Sequence, residues 1–210
     1  MELHSNSFKN GKAIPEEFAF ARPSGDKTHV SWAGNRNPHL AWTAAPLDTR
    51  SFVLFCVDHD APSVGDDVNQ EGRSVAIDLP RAEFVHWVVA NIPAECRELG
   101  AGSCAEGVIA HGKHNPIGPP NAVQGLNSYT EWFEGDDAMR GDYRGYDGPC
   151  PPWNDARVHR YVFEVFALDI ANLELPQDFR IGEVRRAMSG HVLDEAAITG
   201  TYTLNPKLRA

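Results

Sequence analysis

A proline-rich loop that runs directly into a strand is the feature of this chain that most constrains its fold. Residues 146–157 contain three prolines and Gly148. Regular structure cannot form there because proline lacks a backbone N–H and fixes φ. The next residues, 158–168, are rich in β-branched and aromatic side chains and predict a strand. Side chains alternate along a strand, so His159 and Tyr161 share one apolar face. The loop therefore places the polar rings of His159 and Tyr161 at one end of a sheet face.

Two further predicted strands carry polar residues at the matching ends. Residues 51–57 form an apolar run that leads into Asp58 and Asp60, and residues 84–92 form a second run that carries His86 near its start. In antiparallel neighbours the end of one strand lies beside the start of the next. If the first run lies between the other two strands, the polar side chains of all three meet at one end of the sheet.

Each of these residues also has a structural interpretation. Turn amides can satisfy the carboxylate of Asp58, and Asp60 is typical of a turn before Ala61-Pro62. A single histidine such as His86, which would share a face with Phe84 and Val88, is often a satisfied core residue. Function requires that several such groups converge on one pocket.

Three segments resemble signature blocks of a known family. They are residues 57–62 (Val-Asp-His-Asp-Ala-Pro), 86–93 (His-Trp-Val-Val-Ala-Asn-Ile-Pro) and 148–161 (Gly-Pro-Cys-Pro-Pro, six residues, then His-Arg-Tyr). The family is that of the phosphatidylethanolamine-binding proteins, and the match is better to its bacterial Raf-kinase-inhibitor-like branch. Residues 34–42 and 193–202 resemble further blocks. The chain has Asp-His-Asp at 58–60 where the family usually has Asp-Pro-Asp.

The resemblance implies a mainly β fold in which a large antiparallel-rich sheet packs on a smaller sheet, with a peripheral helix or helices near the C-terminus. It also implies a pocket for phosphate or a phosphate-like anion, such as the phosphoethanolamine head group. Carried over residue by residue, the pocket comprises Asp58, His86, His159 and Tyr161, framed by Asp60, Pro62, Gly148, Pro149, Cys150 and Pro151. The imidazoles and the free backbone N–H groups of the 148–150 loop would donate to the anion.

Motifs of catalysis are scarce. The side chains of Asp58, Asp60, His86 and His159 suit a metal ion, but the sequence has no His-Glu-x-x-His motif, no Gly-x-Ser-x-Gly elbow and no P-loop. We expect a binding protein without a cofactor or a metal, and a metal-dependent hydrolase is the less favoured alternative. A kinase or protease inhibitor that acts through a protein–protein surface on an unknown partner is the competing class.

The net charge and the length of the chain limit its domain organisation and the kinds of partner that it can bind. The 210 residues contain no linker-like run, so a single domain over residues 1–210 is expected. A net charge of −10 argues against nucleic-acid or anionic-membrane partners, which need clustered Lys and Arg. The sequence shows neither a signal peptide nor a transmembrane run, which predicts a cytoplasmic protein with four reduced thiols. Cys96 and Cys104 flank a glycine-containing turn and could approach each other.

The remaining elements are less regular. Residues 111–147 form a long, acidic insertion that carries five large rings, which must cover either the pocket or a second copy in a homodimer. A short strand is expected near residues 75–77, and a helix over 183–189 that Gly190 kinks or interrupts. A final short strand is expected over residues 198–204.

Overall fold

The chain folds around antiparallel strands, and the computed structural model describes residues 1–209. Within this range there are eleven strands and two α-helices. The strands are β1 (Glu2–His4), β2 (Lys12–Ala13), β3 (Ala21–Pro23), β4 (Val30–Trp32), β5 (Leu40–Thr43), β6 (Ser51–Pro62), β7 (Arg81–Pro93), β8 (Glu98–Leu99), β9 (Val123–Gln124), β10 (His159–Leu168) and β11 (Val192–Tyr202). The helices are α1 (Tyr129–Trp132) and α2 (Ile181–Ala187).

The largest sheet has six strands in the order β2-β11-β10-β6-β7-β9, and all neighbours except β2 and β11 are antiparallel. Strand β6 therefore lies between β7 and β10, which confirms the arrangement expected from the sequence. Strands β1, β5 and β8 form a second sheet, and β3 pairs with β4 in a third. The mainly β fold, with a large sheet beside a smaller one and a helix near the C-terminus, is confirmed.

Both faces of the large sheet are covered because the apolar side chains of β6 alternate between two cores. Phe52 and Leu54 face the core shared with the smaller sheet, in which Trp42 of β5 is fully buried. Val53 and Phe55 face the opposite core, which α2 closes. Fully burying a side chain of this size stabilises the fold by about 1.5–3 kcal/mol. The β6–β10 pair is thus held from both sides.

Strand β7 differs from its predicted form because it contains a β-bulge. Cys56 pairs with Trp87 and Val57 pairs with Val85, so His86 is an extra residue in the ladder. A bulge breaks the alternation by two and re-aims the side chain that it carries. Consequently Val88 packs in the core beneath α2, and the prediction that it shares a face with His86 was wrong.

The C-terminal elements also differ from the predictions in their bounds. Helix α2 ends before Gly190, which adopts a φ of +84° in the turn into β11 and so terminates the helix rather than kinking it. Strand β11 begins at Val192, six residues before the predicted start, because its full length pairs with β10. Near residues 75–77 only an isolated bridge between Val75 and Asp155 forms.

Cys96 and Cys104 are free thiols, as are the other two cysteines. None of the helices in residues 1–209 is long and apolar enough to cross a membrane.

Candidate functional site

A cavity of about 170 Å³ opens where β6 ends, β10 begins and the bulge of β7 lies. Its wall consists of side chains from these strands, from the loop after β6, from α1 and from the proline loop. They are Asp58, Ala61, Pro62, Ser63, Val64, Gly65, Val68, Asn69, Phe84, His86, Tyr129, Trp132, Cys150, Pro151, Pro152, His159 and Tyr161. We call the buried polar residues Asp58, His86 and Tyr161 the floor, and the exposed residues Ser63, Val64, Asn69 and Trp132 the mouth.

Seven of the ten residues carried over from the family motifs line this cavity. They are Asp58, Pro62, His86, Cys150, Pro151, His159 and Tyr161. The other three, Asp60, Gly148 and Pro149, lie behind the wall. Strand register explains the convergence, because Tyr161 of β10 pairs directly with Asp58 of β6.

His159 lies between two buried carboxylates. Its Nδ1 donates to Asp58 Oδ2 at 2.7 Å, and its Nε2 donates to Asp155 Oδ2 at 3.0 Å. Burial alone would lower the pKa of His159, but the hydrogen bonds that it donates to Asp155 and Asp58 raise it to about 9. Arg81 closes the network with a bidentate contact to Asp155 at 2.6 and 3.1 Å. Both ring N–H groups of His159 therefore have carboxylate acceptors within the protein, and neither is left over to donate to an anion in this structure.

His86 is held by residue 147. Its Nδ1 donates to the Asp147 carbonyl at 2.7 Å, and the Asp147 N–H donates back to the His86 carbonyl at 3.1 Å. Burial lowers the pKa of His86, although Asp58 and the contact with Asp147 oppose this. The ring is therefore neutral near pH 7 and carries its proton on Nδ1.

The Asp147 carboxylate is fully buried and collects three donors. Asn35 Nδ2 lies 2.8 Å away, Asn127 Nδ2 2.9 Å away and Lys113 Nζ 2.6 Å away. Three side chains from other parts of the chain thereby hold Asp147 in place, and its backbone carbonyl accepts the hydrogen bond from His86.

The Tyr161 hydroxyl is buried and has no hydrogen-bond partner within residues 1–209. Burial, followed by the nearby Asp58 charge, raises its pKa well above the usual value, so it remains a neutral phenol. An unpaired buried hydroxyl typically costs about 1–3 kcal/mol. The hydroxyl is therefore a polar atom of the cavity wall that the protein itself leaves without a hydrogen bond.

The 148–150 loop supports the cavity wall, but its first backbone N–H, that of Gly148, is already hydrogen-bonded within the protein. The Gly148 N–H donates to Asn35 Oδ1 at 2.8 Å, and the Gly148 carbonyl accepts from the Tyr129 hydroxyl at 2.7 Å. The Pro149 carbonyl accepts from the backbone N–H of Phe20 at 3.0 Å. The expectation that the Gly148 amide is free for an anion was wrong, because the asparagine already occupies it.

Asp60 continues β6 instead of forming the expected turn, and it is buried behind the cavity. Burial would raise its pKa, but hydrogen bonds from Arg160 and Arg157 lower it to about 2. Its carboxylate therefore joins β6 to β10 through Arg160 and to the preceding loop through Arg157, so both guanidinium groups already have an anionic partner.

The insertion 111–147 contributes to the site through Tyr129 and Trp132. Tyr129 stacks on Phe20 with ring centroids 4.5 Å apart, and Trp132 is 51% exposed at the mouth. The other rings of the insertion, Phe133, Tyr143 and Tyr146, are buried in the protein itself.

Sequence reasoning missed several residues of the site. Asp147 and Asp155 both lie within the loop that it singled out, yet their roles depend on partners far along the chain. Arg81 and Phe84 precede His86 on the same strand and carry no motif. The position of Asp155, four residues before His159, was the available signal.

The site has little free positive charge. Of the lining residues within 1–209, only histidines can carry a positive charge, and the charge of His159 faces two carboxylates. No group of three or more His, Cys, Asp or Glu side chains in the described part of the chain is arranged to hold a metal ion.

The chain is similar to known proteins over nearly its full length. The family model for phosphatidylethanolamine-binding protein matches residues 4–203. A UPF0098 protein of Aquifex aeolicus is 32% identical over 202 residues, which cover 96% of this chain and 88% of that protein. UPF0098 protein YbhB of Escherichia coli is 30% identical over 203 residues, which cover 97% of this chain and 100% of that protein.

Among solved structures, E. coli YbcL, described as a new member of the mammalian PEBP family, superposes with a TM-score of 0.69 at 26% identity. The match covers 96% of this chain and 97% of that one. The likeness therefore extends over the whole arrangement of strands around the cavity.

Proposed function

The chain belongs to the phosphatidylethanolamine-binding protein family, and from this membership we propose that it binds a small phosphate-bearing ligand in the cavity. Phosphoethanolamine, free or as the head group of a phospholipid, is the representative ligand. The wall includes four aromatic rings and three prolines, and this supports the proposal, because rigid apolar walls with a few convergent polar groups are typical of small-molecule sites.

The proposal rests on one observation: the buried hydroxyl of Tyr161 has no hydrogen-bond partner within residues 1–209. Its neighbours at the floor are already bonded: Asp58 accepts from the Asp60 N–H at 2.7 Å, and His86 donates to Asp147. A ligand that reaches the floor supplies the missing partner of the hydroxyl. At the mouth, the exposed side chains of Ser63 and Asn69 offer further polar contacts.

The chemistry around the cavity supports binding without catalysis. A general base needs a ring nitrogen within reach of the substrate proton, and both nitrogens of His159 are committed to carboxylates. His86 packs against the rings of Phe84, Tyr129 and Tyr161, and no serine or thiol nucleophile of residues 1–209 is hydrogen-bonded to it. The Cys150 thiol lines the wall, but burial raises its pKa to about 12.

Phosphoethanolamine is expected to stabilise the fold, by about 2.7 kcal/mol at roughly a hundred times its dissociation constant. Replacing Tyr161 with Phe removes the floor hydroxyl but keeps the ring, so this stabilisation should shrink sharply while the unliganded protein stays folded. Thermal unfolding with and without ligand measures both quantities.

Tyr143→Phe is the matched control, because its hydroxyl is already bonded to the Met139 carbonyl and it does not line the cavity. This variant should retain the full response to ligand. An equal response of Tyr161→Phe and wild-type protein would place the ligand outside this cavity.

A further inference from the structure

The N-terminal segment wraps around the buried side chain of His39, which does not line the cavity. We call residues 5–7 (Ser-Asn-Ser) the strap. The Ser5 hydroxyl donates to the His39 carbonyl at 2.6 Å, and the His39 N–H donates to the Ser7 hydroxyl at 2.9 Å. The Ser7 N–H in turn donates to the Ser5 hydroxyl at 3.0 Å. His39 is 7% exposed, so the strap is held by hydrogen bonds to one buried histidine.

One hydrogen bond of the strap fixes which ring nitrogen of His39 carries the proton. The backbone N–H of Asn6 donates to His39 Nδ1 at 3.0 Å. Because a backbone N–H can only donate, Nδ1 must present a lone pair, and the proton of the neutral ring lies on Nε2. Glu98 Oε1 accepts that proton at 3.1 Å, whereas the Asn6 side-chain amide makes only a longer contact of 3.5 Å with Nε2. The strap is therefore compatible with the neutral imidazole alone.

A second proton on this ring can be added only at Nδ1. The imidazolium is a donor at both nitrogens, so its Nδ1–H would face the Asn6 N–H in place of the present hydrogen bond. Two donors cannot bond to each other, and a donor left without a partner inside a protein is destabilising. Asn6 is exposed, so its N–H regains a partner from water once the strap lifts.

Two titratable side chains face the His39 ring from the neighbouring strands. Glu98 of β8 accepts from Nε2 in both charge states of the ring and so stabilises the imidazolium, although its side chain is 63% exposed. His4 of β1 lies with its ring centroid 6.1 Å from that of His39, and its own protonation would oppose a second positive charge. Histidine is the side chain whose ordinary titration falls between about pH 5 and 8.

We propose that His39 is a pH-sensitive latch for the strap. The neutral ring holds residues 5–7 against the start of β5, and protonation at Nδ1 releases them. Anchors on both sides confine the release to the strap. On one side β1 pairs with β5, with His4 opposite Ala41, and on the other side the buried ring of Phe8 packs on Phe163 with centroids 5.6 Å apart.

Amide hydrogen exchange, followed by NMR from about pH 7.5 to about pH 5 and corrected for the intrinsic effect of pH on exchange, tests the latch. The Asn6 and Ser7 amides are expected to lose protection by about tenfold or more as the pH falls, the change that follows the loss of one ordinary hydrogen bond. The amides of β6 and β10 should keep their protection. Unchanged protection of Asn6 and Ser7 over this interval would overturn the proposal.

His39→Asn is the matched control. Asparagine presents an amide oxygen near the place of Nδ1 and has no second protonation state, so Asn6 should keep the same protection at both ends of the pH interval. Glu98→Gln removes the carboxylate that stabilises the imidazolium and should move the release to lower pH. His4→Gln should leave the release in place. A release that persists in full in His39→Asn, or that disappears in His4→Gln, would assign the titration to another group and refute the latch.

Nitrogen-15 NMR of the histidine rings in the wild-type protein gives a readout that does not depend on how well a variant folds. At about pH 7.5 the His39 ring should carry its proton on Nε2 alone. Its Nδ1 should then take up a proton over the same pH interval in which Asn6 loses protection. A ring that is already protonated on Nδ1 at about pH 7.5, or a strap that opens while Nδ1 stays unprotonated, would contradict the proposal.

Discussion

Replacing His159 with Leu is expected to lower the free energy of unfolding by about 3–5 kcal/mol, because it leaves buried carboxylates without their shared cation. Asp58 and Asp155 are 3% and 0% exposed, and the imidazolium bonds to both. Asp155 would keep Arg81, whereas Asp58 would keep only the Asp60 N–H. A loss of this size is a large share of the roughly 5–15 kcal/mol that stabilises a typical domain. Urea unfolding at pH 7 measures it.

The pH dependence of stability identifies the charge as the cause. The pKa of His159 rises from about 6.5 in the unfolded chain to about 9 in the folded protein, so folding favours the protonated form. This contribution is fully present below about pH 6.5 and is lost as the pH rises to about 9, which amounts to about 3 kcal/mol. Wild-type stability should fall across this interval, and the His159→Leu variant should lack that part of the decline.

His191 provides the matched control. It also pairs with an aspartate, Asp169, at 2.8 Å, but both side chains are about 40% exposed. Exposed pairs contribute about 0–1 kcal/mol, so His191→Leu should be nearly neutral. Equal effects of the two substitutions would contradict the assignment of the buried cluster as the main electrostatic support of this end of the sheet.

The sequence was sufficient to predict that the polar side chains of three strands converge at one end of the sheet. Alternation along β10 places His159 and Tyr161 on one face, and antiparallel pairing brings the end of β6 beside them. Both inferences depend only on local periodicity and on neighbouring strands, and the structure agrees with both. The family blocks lie on the strands and the loop that meet at this point.

The hydrogen-bonding roles could not be predicted from the sequence. Whether His159 can donate to a ligand depends on Asp155, and the proton position on His86 depends on a carbonyl that a bulge brings within reach. Whether the Gly148 amide is free depends on Asn35, more than a hundred residues earlier. These contacts between distant segments have no periodicity that a single sequence displays.

Gly148→Ala is expected to lower the free energy of unfolding by about 3 kcal/mol, because the position has no room for a methyl group. A Cβ there would lie 2.1 Å from the Phe18 carbonyl oxygen and 3.0 Å from backbone atoms of Ala19. The obstacle is backbone, which cannot rotate away as a flexible side chain can. The backbone of Phe18 and Ala19 and the proline loop must separate instead.

This separation would also disturb the cavity wall, because the Gly148 N–H donates to Asn35 and the Gly148 carbonyl accepts from the Tyr129 hydroxyl. The response to phosphoethanolamine should therefore fall together with stability, unlike in Tyr161→Phe, where the response falls and the fold stays intact. Gly135→Ala is the control, because a Cβ there meets no atom within 4 Å, and surface substitutions of this kind change stability by about 0.5 kcal/mol or less. If Gly148→Ala unfolds at the same urea concentration as Gly135→Ala, the loop can yield, and the close approach of Phe18 does not hold the cavity wall in place.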